Sequence, residues 1–130
     1  MAFLDETGLA ELWALIQAED ETLANNISLC PKYAVGSYTG TGKSSYSGNI
    51  NPVTLTFGFK PKFLIICGAA FAVGAIGQNL AAYHVSNIKD TMTSTTWGNN
   101  SVSWYYDSQG NAQLQLNSSN NVYSYIAFGE

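Results

Sequence analysis

The sequence predicts a mainly β protein: one N-terminal, coiled-coil-like α-helix followed by an antiparallel β-domain of the sandwich or jelly-roll kind. Three observations predict it. Apolar residues recur at helical spacing up to Ile27, and that period ends near Cys30-Pro31. Beyond this point short apolar-alternating runs of five to seven residues are separated by Asn/Gly/Ser clusters. Charge changes at the same place: residues 1–31 carry six carboxylates and no lysine, whereas residues 32–130 carry all five lysines against three carboxylates. Residues 1–31 are therefore expected to be an assembly or anchoring helix and residues 32–130 a β head domain.

The helix is expected to start at Asp5. As N-cap its carboxylate accepts from a first-turn N–H, Leu4 and Leu9 take the staple positions, and Asp5 and Glu6 suit the positive helix end. Leu9, Trp13, Ile16, Leu23 and Ile27, with Asp20 at the remaining place, follow the spacing 4, 3, 4, 3, 4 of a heptad seam. Asn25-Asn26 weaken the last turn and Pro31 forbids continuation. A lone helix of this length is marginal in water, so the seam demands a partner surface. Three partners compete: copies of the same helix, the chain's own β-domain, or another protein. Glu19-Asp20-Glu21 oppose the first, because a bundle gathers like charges with no helix lysine to offset them.

In the β region, Val53, Leu55, Phe57 and Phe59 alternate with Thr54, Thr56 and Gly58, a strand with one buried face. Lys60-Pro61-Lys62 interrupts, and Phe63–Cys67 follows as an unbroken apolar run, expected to be a strand covered on both faces. The two are expected to pair as a hairpin about the Pro turn, with Phe57 and Ile65 in the core. Further strands are expected at Tyr33–Thr39, Ser44–Ser47, Ala69–Ile76, Leu80–Val85, Met92–Trp97, Ser101–Tyr106, Ala112–Leu116 and Val122–Phe128.

Composition narrows the function. Only 11% of residues are charged, and Ser, Thr and Asn, 35 in all, carry the polar load. With no arginine the chain has no bidentate phosphate forks, which argues against a nucleic-acid partner. No basic-then-apolar leader opens the chain, so the three Asn-X-Ser sequons carry no weight and synthesis in a cytoplasm is expected. The longest apolar stretch, Phe63–Ile76, is broken by Gly68 and Gly74 and is too short to insert in a membrane. Cys67, inside the apolar run, is expected to be a small buried hydrophobe.

No catalytic, cofactor-binding or metal-binding constellation emerges. Gly40-Thr41-Gly42-Lys43-Ser44 lacks the first glycine of a P-loop, and Tyr46, Gly48 and Pro52 forbid the helix that must follow; it is a turn. His84 is the sole histidine and has no ligand set for zinc. Asp90 and Asp107 are a thin basis for a carboxylate pair. Trp97, Asn99, Asn100, Trp104 and Tyr106, with Tyr105 and Asp107, form the densest aromatic and amide cluster. Flat rings stack on sugar faces and amides bond hydroxyls, so this cluster is the candidate glycan contact, although alternate members of its strand must face the core.

Two segments carry a resemblance. Phe3-Leu4-Asp5-Glu6-Thr7-Gly8-Leu9, with Leu12-Trp13 and Ile16, resembles the opening helix of small structural proteins of phages and prophages of Gram-positive hosts. Tyr38–Gly42, Asn51-Pro52, Leu55–Lys62, Ile65-Ile66 and the ending Leu116-Asn117 with Tyr123–Gly129 resemble the C-terminal β-domain of phage tail-fibre and head-fibre proteins. The resemblance implies a non-enzymatic virion protein, a homotrimer that meets other virion proteins through its helix and host-surface glycan through its β-domain. It departs from a fibre in having no shaft, which leaves a short head fibre, baseplate tip or capsid decoration protein open. A free carbohydrate-binding module is the alternative from another class.

Overall fold

The computed structural model describes residues 5–46, 48–83, 91–106 and 110–130. The chain divides into two compact units, Met1–Cys30 and Pro31–Glu130.

The first unit is the helix α1, Glu6–Ser28, 23 residues and about 34 Å long at 1.5 Å per residue. Its start is built as the residues require: the Asp5 carboxylate accepts from the Gly8 N–H at 2.8 Å and the Asp5 carbonyl from the Leu9 N–H. At the other end the Leu29 N–H returns to the Asn25 carbonyl and the Cys30 N–H to that of Ile27, so the chain leaves the helix before Pro31. Leu4, the staple partner, lies outside the described residues. No residue of α1 is buried.

Among the described residues the second unit is one antiparallel sheet of eight strands: β1 Lys32–Thr39, β2 Val53–Thr56, β3 Pro61–Cys67, β4 Phe71–Ala75, β5 Leu80–Tyr83, β6 Thr91–Trp97, β7 Ser101–Tyr105 and β8 Val122–Gly129. The order is β1-β8-β3-β4-β5-β6-β7-β2, so β3 to β7 meander and β8 is inserted between β1 and β3.

Chain connectivity requires this sheet to curl. β2 and β3 stand five strand spacings apart in the order, about 24 Å if the sheet were flat. The link between them, residues 57–60, carries the chain from Thr56 to Pro61 across at most about 18 Å. Ring contacts show the closure: Tyr38 of β1 meets Trp104 of β7 edge-on with centroids 6.1 Å apart, and Phe57 meets Tyr125 of β8 at 5.9 Å.

The concave face carries the core. Leu55, Leu64, Ile66, Ala72, Leu80, Ala82, Val102, Trp104, Tyr123 and Ala127 each sit at period-two positions of their strands, joined by Phe57, Ala70 and Leu116.

The sequence expectation is corrected at several places. Asn51–Cys67 is not a hairpin: β2 pairs with β7, and β3 pairs with β4 and β8. The Lys60-Pro61-Lys62 segment joins opposite regions of the sheet, and Pro61, fully buried, opens β3 beside Gly129. The strand β3 is covered on one face only, so Ile65 is half-buried while Leu64 and Ile66 are the core members. Cys67, at its end, is exposed, not buried.

Residues 112–116 form consecutive turns, not a strand. Gln115, Leu116 and Asn117 are buried in succession, which a strand with one buried face cannot achieve, and Leu116 takes a left-handed φ of 59°. The proposed edge strand at Ser44–Ser47 reduces to a single bridge, Tyr46 with Asn49; Ser47 lies outside the described residues.

Candidate functional site

The structure separates the aromatic and amide cluster. In the β6–β7 hairpin Trp97 stands opposite Val102 and Trp104 opposite Thr95, which turns both indoles to the concave face. Trp104 is 0% exposed and its Nε1–H donates to the Gln115 carbonyl at 3.0 Å. A ring with no free face cannot stack on a sugar, so its candidacy as a glycan contact is withdrawn. Trp97 packs partly buried against the core and donates its Nε1–H to the Gln78 carbonyl. Asn99 and Asn100 are exposed in the hairpin turn, where the Asn100 carbonyl accepts from the Phe57 N–H. Tyr106 follows the other end of β7, half-buried, about 20 Å from Asn100 along the strand. No common platform joins these five residues. His84, Asp90 and Asp107 lie outside the described residues.

A polar node that sequence reasoning missed closes the wide loop between β1 and β2. The Gln115 side chain, wholly buried, accepts from the Ser45 N–H at 3.0 Å and the Tyr106 N–H at 3.4 Å, and donates to the Asn51 carbonyl. Asn117 accepts from the Thr41 N–H and donates to Thr41 Oγ1 and the Lys43 carbonyl. The Gly40-Thr41-Gly42 turn is thus held against residues 117–121. The Gly40 N–H donates to the Asn121 carbonyl, and a Cβ at Gly40 would overlap the Ser118 carbonyl, so only glycine fits. Two amides here do for loop backbone what a strand ladder would do. The one available signal was the alternation Gln113-Leu114-Gln115-Leu116-Asn117, which imitates a strand.

Tyr38, beside this node, donates to the Leu116 carbonyl at 2.8 Å and stacks on Tyr123. Burial, and then the neighbouring Tyr123, push its phenol far above the ordinary range. Its hydroxyl ties β1 to the turn at Leu116. At the opposite rim Lys62 and Glu130 form an ion pair of 2.8 Å. Its hydrogen bond, then its charge, hold the Glu130 carboxyl below the usual range. Among the described residues no group of three or more His, Cys, Asp or Glu is placed to hold a metal ion, and no helix is long and apolar enough to cross a membrane.

What the two units do present is uncovered apolar surface. All five seam residues of α1, Leu9, Trp13, Ile16, Leu23 and Ile27, are exposed, Trp13 to 61%. On the sheet, the convex face is divided. Thr54, Thr56, Ser94, Thr96, Ser101 and Ser103 occupy it on β2, β6 and β7, as a solvated face should. Across β1, β8, β3, β4 and β5 it is apolar apart from Ser37, Thr39 and Ser124 at one end of β1 and β8, and it includes an open groove of about 480 Å³ lined by Phe63, Val73, Ala81, Tyr83 and Met92 together with Gln78 and Asn79.

Comparison with known proteins finds no matching family model, no matching curated protein and no matching solved structure.

Proposed function

We propose that the chain is a non-enzymatic structural protein of a phage virion, of the fibre or receptor-binding type, assembled as a homotrimer through a coiled-coil of α1. The β unit, as a compact head of the sandwich or jelly-roll kind, is its outward part and contacts the host surface. One observation carries the reading: a well-capped helix whose heptad seam is exposed along its whole length. Each large apolar side chain removed from water contributes about 1.5–3 kcal/mol, so five seam positions outweigh the repulsion gathered at Glu19-Asp20-Glu21, a solvent-screened effect. The resemblance of the opening helix and the β segments to phage fibre proteins supports the class.

A second reading, capsid decoration or head fibre without receptor, is favoured by the dispersal of the aromatic and amide cluster, which leaves no assembled sugar platform at those residues. Light scattering tests the assembly: the expected mass is three times the 14.0 kDa chain. Ile16→Asp with Leu23→Asp should return it to one, and a clean monomer for the parent chain ends the proposal. Retention on host cells or wall polysaccharide separates the first reading from the second, which predicts retention on capsids alone.

A further inference from the structure

Two neighbouring rows on the convex face of the sheet are built like a core. The strand registers place Val35, Ile126, Ile65, Val73, Ala81 and Met92 side by side in one row across β1, β8, β3, β4, β5 and β6. A parallel row on one side holds Tyr33, Phe128, Phe63 and Ala75; on the other side Phe71 stands opposite Tyr83 and Cys67, and that row ends in Ser124 and Ser37, which bound the apolar patch. No member of these rows is charged, and the span is about 24 Å at the usual strand spacing. Exposure is greatest at the flanks, 69% for Tyr33 and Val35 and 62% for Met92. Elsewhere this face takes Ser and Thr, on β2, β6 and β7 and at Ser37, Thr39 and Ser124 beyond the apolar rows, so the rows are a local departure and not the general composition.

We propose that this apolar patch is a second self-association surface, packed against a neighbouring copy of this chain. The uncovered area is roughly 600–800 Å², taking about 200 Å² for a whole aromatic side chain, and a standard interface takes about 800 Å² from each partner. A face free of charge over this area is the composition of permanent homomeric contacts; interfaces with occasional partners are as polar as ordinary surface. Charge does not oppose it, since residues 32–130 carry a balance of only +2, and the lysines Lys32, Lys60 and Lys62 lie at one end of the strands outside the rows. The inference shares with the proposed assembly the premise that the chain associates with itself, but it rests on the sheet and not on α1.

Peroxide oxidation of Met92 in the full chain, followed by mass spectrometry over a dilution series, tests it. The expected result is slow oxidation at high concentration and about tenfold faster oxidation once diluted below the association range. Val35→Lys, at an exposed position the single chain tolerates, places an unpaired ammonium in the contact and should raise the apparent dissociation constant about tenfold or more. Ile16→Asp/Leu23→Asp, a monomer at light-scattering concentrations if the helix seam drives assembly, should still show the concentration dependence at higher protein concentration; if the seam plays no part, the dependence should stay where it is in the parent chain. Fast oxidation at every concentration means that no copy covers the face and overturns the inference. Slow oxidation at every concentration in a chain whose measured mass is that of a single copy assigns the cover to the chain itself and overturns it equally.

Discussion

Gln115→Leu removes one buried amide and keeps the volume close. Three backbone groups lose their partner: the Ser45 N–H, the Tyr106 N–H and the Asn51 carbonyl. Ser45 is 0% exposed, so its N–H has no route to water and bears the full penalty of an unsatisfied donor, about 1–3 kcal/mol. Asn51 and Tyr106 are half-buried and regain part of their loss from solvent. The expected destabilisation is about 2–4 kcal/mol, a large share of the ~5–15 kcal/mol that holds a domain together. In urea, with a slope of about 1–3 kcal/mol per molar, the midpoint should fall by about 1–2 M. Trp104 bonds to the Gln115 backbone carbonyl, which the substitution leaves in place, so the indole should stay sequestered in the folded state. Asn99→Ala, in the exposed hairpin turn, is the control and should leave the midpoint unchanged. A Gln115→Leu midpoint equal to that of the control would refute the claim that this amide holds the loop.

Other outcomes follow from single contacts. Asp5→Ala removes the N-cap bond to the Gly8 N–H and should cost the helix about 1 kcal/mol, seen as lost helical circular dichroism; an unchanged signal would show the cap to be idle. Trp104→Ala should destabilise the β unit by about 3–5 kcal/mol whether or not glycan is present, whereas a folded variant with selectively lost glycan binding would restore the ring as a contact. The Tyr38 phenol, raised by burial, contributes stability below the ordinary tyrosine value of about 10, and this is lost as pH rises above it. Absorbance titration of Tyr38→Phe against the parent should therefore show the missing phenol ionising only with unfolding. The lowered Glu130 carboxyl works in the opposite sense: its contribution is present above the unfolded glutamate value and lost as pH falls through the folded one. NMR titration should return Glu130 to the ordinary range in Lys62→Ala, and an unmoved midpoint would exclude the ion pair as the cause.

Local chemistry was legible in the residues. Asp5 as cap, the heptad spacing and Pro31 bounded α1, because helix ends and faces are decided within a few residues. Val53-Thr54-Leu55-Thr56 and Val122–Gly129 read as strands because alternation is a property of each segment alone. Pairing was not legible. Lys60-Pro61-Lys62 has the look of a hairpin turn, yet a four-residue link joins neighbours and curled-over ends of a sheet equally well. The aromatic and amide cluster was misjudged at Trp104 for the related reason that proximity along a hairpin does not say which face each ring takes; Trp104 is fully buried and Trp97 packs partly buried against the core.

Phe63–Cys67 shows the division between sequence and tertiary structure most clearly. By itself the sequence determined that both faces of this strand are apolar, since no polar residue breaks the run. It also determined that the helix seam wants a partner. Only the tertiary structure decided that Leu64 and Ile66 enter the core while Phe63 and Ile65 line a convex apolar row. It alone, too, placed the Gln115 amide against three loop backbone groups. The physical reason is that composition and period depend on the covalent order of neighbours. Which apolar face is covered, and by what, depends on residues brought in from β8, β4 and the 111–117 turn by the curl of the whole sheet.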